Sequence, residues 1–376
     1  MNTTSVLATA PTSKDVLGVP FLPSGRVTLV GNRIRALLGR VHASMAPPPA
    51  RILEGVFGML DHRVLVAICQ AGVPEALTGP RRILDLAAEL DADPAMLERL
   101  LRFAATRGWV GMDRRGRVRP NAVTAFLRHD HPGGWRAWVD FSGGEEVVTA
   151  VAGLTADSSR ADGFAQANGA PFFEWMADHP DRWATFDRAM AAGGRMHGLV
   201  LAAALDWDGT ESICDVGGGT GALAATLLEM LPGRRATVLD LPGVVERAVD
   251  HPRLTAVGGD AFEQVPPGFD TYLLVNVVHD WDDRDASRIL QRVAEAAEGR
   301  ARVVVVDSER TIVPRPDMAV AADVLMAALT DGGKERTASE LRTLGRSAGL
   351  ELDHSTRLAS GDVAHVFGVR VGRVER

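Results

Sequence analysis

Lysine is nearly missing from this 376-residue chain, standing only at positions 14 and 334, while arginine supplies every other basic position. With abundant alanine, glycine and valine, that scarcity matches the codon bias of a GC-rich genome and carries little about function. Cysteine is just as scarce. Cys69 and Cys214 are the only two, far apart in sequence, which excludes a disulfide framework and a metal-binding spacing and points to a reducing compartment. No apolar run approaches the roughly 18 residues that a membrane-spanning helix needs. The opening MNTTSVLATAPTSK lacks a basic segment followed by an apolar core, so it does not read as a signal peptide. A soluble cytoplasmic protein is expected, with no membrane partner. The formal net charge of −7 disfavours a general nucleic-acid binder.

The length exceeds one ordinary domain and suggests two. Residues 1–50 read as a poorly ordered tail with one extra helix at Arg26–Ser44, broken by MAPPPA. Ile52–Gln70 has helical apolar spacing and few charges, so it should be buried in a core or against a partner subunit. Residues 51–134 continue as helix, turn, helix and a short hairpin around Arg115 and Gly116, with Asp93 capping the second helix and Pro94 at its first position. That is a winged-helix pattern. It suits a DNA-binding regulator or a packing and dimerisation module. The second helix carries Arg99, Arg102 and Arg107 but lacks the Asn, Gln and Ser surface that reads base edges, which favours the module. Residues 135–210 look mostly helical, a linker whose Phe186 and Met190 are four apart and share a face. Core packing is the simpler use of either residue.

Strands and helices then alternate over residues 211–376: SICDV, RATVLD, LTAVGGD, YLLVNVV, RVVVVD and a final VAHVFGVRV, with helices between. This predicts an α/β fold with a doubly wound, mainly parallel, Rossmann-like sheet. Ligands of such sheets bind beyond the C-terminal strand ends. The first strand runs into Asp215-Val-Gly-Gly-Gly-Thr-Gly. Gly217, Gly219 and Ala222 fit a dinucleotide loop loosely, whereas Gly217, Gly219 and Gly221 fit the D-x-G-x-G-x-G spacing of S-adenosylmethionine (AdoMet) enzymes. The loop alone leaves an NAD oxidoreductase and an AdoMet enzyme both open. Asp240, ending the second strand, can accept from ribose hydroxyls in either. Asp260, ending the third, can accept from an adenine amine, with Phe262 packing nearby.

The fourth strand leads into His279, Asp280 and Trp281. A histidine there faces the mouth of the cleft and titrates in the range a proton acceptor needs. Asp307 ends the fifth strand at the same edge, and Glu335 lies in the glycine loop GGKERT, after which Thr337 and Glu340 form a capping box. One histidine approached by two carboxylates is a base–orienter arrangement.

Taken together, DVGGGTG, VLDLP, GGDAF, VVHDWDD and GGKERT, in this order and spacing, resemble the small-molecule O-methyltransferases of the plant caffeate/isoflavone and bacterial antibiotic-tailoring types, from about Ile52 to the C-terminus. The resemblance implies a class I methyltransferase domain, a winged-helix half that dimerises without binding DNA, and S-adenosyl-L-methionine as cofactor with no metal. It implies His279 as general base with Asp307 and Glu335 holding its ring. It places cofactor contacts at Asp215, Gly217, Gly219, Asp240, Leu241, Asp260, Ala261, Phe262 and Asn276. Phe186, Met190, Asp280 and Met326 would face a small phenolic acceptor, a secondary metabolite such as an antibiotic or its precursor. Plant members have glutamate where Asp307 stands, lysine at Val275 and serine near Gly194, so contacts there must differ. A few relatives use AdoMet for hydroxylation or decarboxylation, and a C-methyltransferase is a further alternative for this chain. Retention of His279 favours O-methylation.

Overall fold

The computed structural model describes residues 25–156, 163–314 and 318–369. The expectation for residues 1–24 lies outside the described residues. The chain forms two compact units, one of Arg33–Ala192, the other of Gly193–Arg376 with the N-terminal stretch to Asn32. The helical segment 135–210 falls across that division, and the helix Pro180–Ala204 carries the chain through it. Among the described residues, no helix is long and apolar enough to cross a membrane.

The first unit is mainly helical. A helix spans Gly25–Met45, one residue longer at each end than expected, and stops before Pro47. Ile52–Gln70 is not one helix but two, Pro48–Phe57 and Met59–Gln70, meeting at Gly58. Their apolar residues divide in the same way. Val64, Val66 and Ile68 join the core of Leu97, Leu101 and Ala104, whereas Ile52 and Met59 are each 68 % exposed. An apolar surface left open in a single chain is the mark of an interaction site.

Helices Ile83–Glu89 and Pro94–Thr106 follow, then a hairpin of β1 (Gly111–Met112) and β2 (Val118–Arg119). As expected, Asp93 caps the second helix, its carboxylate accepting from the Met96 N–H at 2.7 Å with Pro94 in the first turn. Asp93→Ala should cost about 1 kcal/mol, read as a lowered urea midpoint of the helical circular dichroism signal. An unmoved midpoint would show that the cap contributes nothing.

The second unit is a seven-stranded sheet: β3 (Ser212–Val216), β4 (Arg235–Asp240), β5 (Leu254–Gly258), β6 (Thr271–Val275), β7 (Arg302–Asp307), β8 (Leu350–Arg357) and β9 (Val363–Val369). Their order is β5-β4-β3-β6-β7-β9-β8. The first five are parallel, and β9 is antiparallel to both neighbours. The central strands read as continuous apolar runs because both faces are covered. Tyr272, Leu274, Val303 and Val305 pack on one side with the helices Asp283–Ala296 and Ala338–Ser347. Leu273, Val304 and Val306 pack on the other with the helix Ala222–Met230. This is the doubly wound α/β fold that the resemblance implies. Strand order reverses between β3 and β6, so the crevice that binds ligands in such sheets opens there.

Two details differ from the sequence expectation. LELDHSTR was not foreseen as a strand, yet it forms β8, an edge strand with Glu351, Asp353 and His354 exposed. YLLVNVV is extended only to Val275. Asn276 turns the backbone with φ +54, and Val278–Asp280 is a short 3-10 turn.

Candidate functional site

The glycine loop leaves β3 at Val216. Its geometry is fixed largely by Asp240, at the end of neighbouring β4. One Asp240 oxygen accepts from the Gly219 N–H at 2.7 Å, the other from the Leu241 N–H at 2.8 Å. The loop glycines have different reasons. A Cβ on Gly217 would meet the Val277 side chain at 2.9 Å, whereas one on Gly219, at φ +60, would meet nothing within 4 Å. Gly219 therefore lines open space at the crevice. Asp215 does not. It is 1 % exposed beneath the loop, one of its oxygens has no hydrogen-bond partner, and burial, then the Asp240 charge, push its pKa up to about 7.

Beyond β5, Asp260 accepts from the Phe262 N–H at 2.8 Å. Ala261 and Phe262 pack against the core, and Phe262 meets Trp281 edge-on at 4.7 Å with the Arg288 guanidinium 4.9 Å over its ring. An open glycine turn, an acid at the end of β4 and an acid with an aromatic ring beyond β5 fit a nucleoside-type cofactor. Asn276, at the end of β6, donates its N–H to Val306 at 2.9 Å.

The short turn beyond β6 presents His279. Its Nδ1 lies 2.9 Å from Glu335 Oε1, 3.9 Å from Asp307 Oδ1, and its Nε2 lies 3.5 Å from Asp280 Oδ1. Only the Glu335 contact is a hydrogen bond. Nδ1 therefore donates to Glu335, and in the neutral ring Nε2 is the free acceptor. Asp307, one methylene shorter than glutamate, stops short of a hydrogen bond to the ring, and its Oδ1 is left without a hydrogen-bond partner, as is Glu335 Oε2. Burial opposes a charge on the ring, but Asp280, Glu335 and Asp307 together outweigh it, and the imidazole pKa is raised to about 10. Burial likewise raises Asp307 and Asp280 above the ordinary carboxylate range.

The O-methyltransferase domain family matches residues 151–351, and the O-methyltransferase dimerisation domain matches residues 53–127. The chain belongs to the O-methyltransferase family. Mitomycin biosynthesis 6-O-methyltransferase of Streptomyces lavendulae is 33 % identical over 334 residues, 83 % of this chain and 91 % of the relative. Aclacinomycin 10-hydroxylase RdmB of Streptomyces purpurascens is 32 % identical, over 74 % of this chain and 78 % of its own length.... 

The solved structure of CalO1, a methyltransferase of calicheamicin biosynthesis in its SAH-bound form, aligns over 85 % of this chain and 98 % of its own at a TM-score of 0.76 and 30 % identity.

Within this O-methyltransferase, the remaining candidate residues lie in different places. Met326 lies in the second unit, on the apolar helix Met318–Leu329. Phe186 and Met190 lie in the first unit, where the Phe186 ring packs at 5.2 Å from Phe172 and 5.3 Å from Phe141. Phe186 is half-buried among these rings. Three polar residues around the histidine were not foreseen. Asp323 accepts from the Glu335 N–H at 2.9 Å, Lys334 donates its backbone N–H to the His279 carbonyl at 2.8 Å, and Arg336 reaches around the same turn. The available signal was adjacency: two of them flank Glu335 in GGKERT, and Asp323 is the one charged residue of its helix.

Proposed function

We propose that this O-methyltransferase methylates a phenolic hydroxyl of a small aromatic secondary metabolite, with His279 as general base. The carrying observation is the His279 ring, anchored at Nδ1 by the buried Glu335 with Nε2 left to accept a proton. S-adenosyl-L-methionine is the cofactor, and it supplies an electrophilic sulfonium methyl group and a positive charge. Gly217, Gly219, Asp240, Leu241, Asp260, Ala261, Phe262 and Asn276 would hold it, with Asp215 supporting the loop from beneath. The names of the mitomycin and calicheamicin relatives support an antibiotic or its precursor as acceptor.

An unperturbed phenol has a pKa of about 10, so near neutrality it is a weak nucleophile until its proton is taken. His279 Nε2 takes that proton. Only the neutral ring can do so, and the surrounding carboxylates, which raise the imidazole pKa, favour the protonated ring. A second positive charge in the cleft lowers that pKa and favours the neutral form. Met326 and Asp280 would border the acceptor. The dimerisation domain and the open apolar helices before it support a homodimer.

His279→Ala should lower kcat by about 10²–10⁴-fold, the usual worth of a general base, while calorimetry finds AdoMet affinity near wild type. Unchanged turnover would leave proximity alone as the mechanism. Product mass with labelled AdoMet separates methylation from the hydroxylation named for RdmB.

A further inference from the structure

We infer that Arg336 is a positioning residue for methyl transfer, holding the turn that presents His279. The inference rests on His279 being the base. Arg336 hydrogen-bonds through its guanidinium to the turn and to Asp283, not to the imidazole. It is 5 % exposed, and its guanidinium spans the turn from one side to the other. One terminal nitrogen donates to the Val278 carbonyl at 2.7 Å, and the other donates to the Trp281 carbonyl at 2.8 Å. Nε donates to Asp283 at 2.9 Å, and Asp283 also accepts from Lys334 Nζ at 2.8 Å.

The backbone completes the grip. The Lys334 N–H donates to the His279 carbonyl, so the carbonyls of 278, 279 and 281 all accept from residues 334–336. A short 3-10 turn cannot satisfy these carbonyls internally, and buried carbonyls require partners. The stretch is itself tied down on its far side. Arg310, three residues beyond Asp307, donates its N–H to the Arg336 carbonyl at 3.1 Å. Asp323 holds the Glu335 N–H. One short segment therefore sets both the ring of His279, through the Glu335 carboxylate, and its backbone, through Arg336.

The turn needs external support because it begins at Asn276 with a left-handed φ of +54. Conformations of that kind persist when surrounding contacts over-determine them. The side chain that reaches two carbonyls and a carboxylate at once is a planar guanidinium. A lysine ammonium carries the same charge but not the fork.

The test separates geometry from charge. Arg336→Lys should lower kcat at least tenfold, with AdoMet affinity by calorimetry within about twofold of wild type. Wild-type kcat in Arg336→Lys would overturn the inference, because charge alone would then suffice. Arg336→Ala should recover part of its lost turnover when guanidinium is added at millimolar concentration, and absence of any recovery in a folded Arg336→Ala enzyme counts against positioning. If Arg336→Ala does not fold, the lysine variant decides.

The double variant tests the route. Arg336→Lys should cost little further turnover in a His279→Ala background if it acts through His279. An equal fold-loss in both backgrounds overturns the inference while leaving the base assignment intact. If His279→Ala alone keeps full turnover, the base assignment is what fails.

Discussion

Glu335→Ala should reduce kcat by about 10²–10⁴-fold, most of a general base's contribution, with AdoMet affinity little changed. Glu335 is fully buried, and one of its oxygens accepts from His279 Nδ1 at 2.9 Å. Removing the carboxylate frees the ring to rotate and leaves its N–H unpaired in a buried site. Glu335→Gln should behave differently. The amide oxygen can still accept from Nδ1, so the orientation survives while the charge is lost. Glu335 is among the groups that raise the His279 pKa to about 10. Without its charge that pKa falls, the neutral fraction at pH 7 grows, and the rise of kcat with pH moves to lower pH.

Stability follows the same shift with its own sign. A histidine whose folded pKa lies above 6.5 contributes stability that is fully present below pH 6.5 and lost as pH rises through about 10. Glu335→Gln should flatten that loss. Equal kcat losses in both variants, with superimposable pH profiles, would show that Glu335 does not orient the ring.

Gly333→Ala should damage both fold and turnover. A Cβ at this position would stand 2.7 Å from the His279 carbonyl oxygen, 2.8 Å from that of Asp280, and against the Thr330 hydroxyl. The first two are backbone atoms of the turn that carries the histidine, so relief requires moving the turn. Overpacking of this kind typically costs about 1–3 kcal/mol. At about 2–4 °C per kcal/mol for a unit of this size, Tm should fall by roughly 5 °C. Turnover should fall by more than stability loss explains, because displacement of the turn displaces Nε2. A folded variant with wild-type Tm and kcat would mean that the 332–336 segment gives way freely.

What was legible in the sequence follows from what is local. Asp240, Asp260 and Asp307 could be found because each ends, or closely follows, an apolar run that has to be a strand, and strand ends share one edge of a parallel sheet. Capping by Asp93 and Thr337 was legible because both partners lie within one helical turn. Arg336 was not, since its partners lie more than fifty positions earlier in the chain and an arginine beside a catalytic candidate looks like any surface arginine. The strand β8 was hidden because an edge strand alternates weakly and carries charge. The failure of Asp307 to reach His279 depended on one methylene, a length that the sequence states but a position that only the fold supplies. Ile52 and Met59 were legible as apolar but not as exposed, because apolar spacing marks a helix face without saying what covers it.

Both oxygens of Asp240 accept backbone N–H groups, from Gly219 on one side and Leu241 on the other. The glycine loop is therefore tied to the end of β4 by hydrogen bonds of the protein itself. A loop that must freeze on binding subtracts its lost entropy from the affinity. The Asp240 hydrogen bond restrains the turn at Gly219 and so reduces that subtraction. Cofactor recognition in this chain is accordingly closer to insertion into a rigid socket than to closure of a flexible clasp.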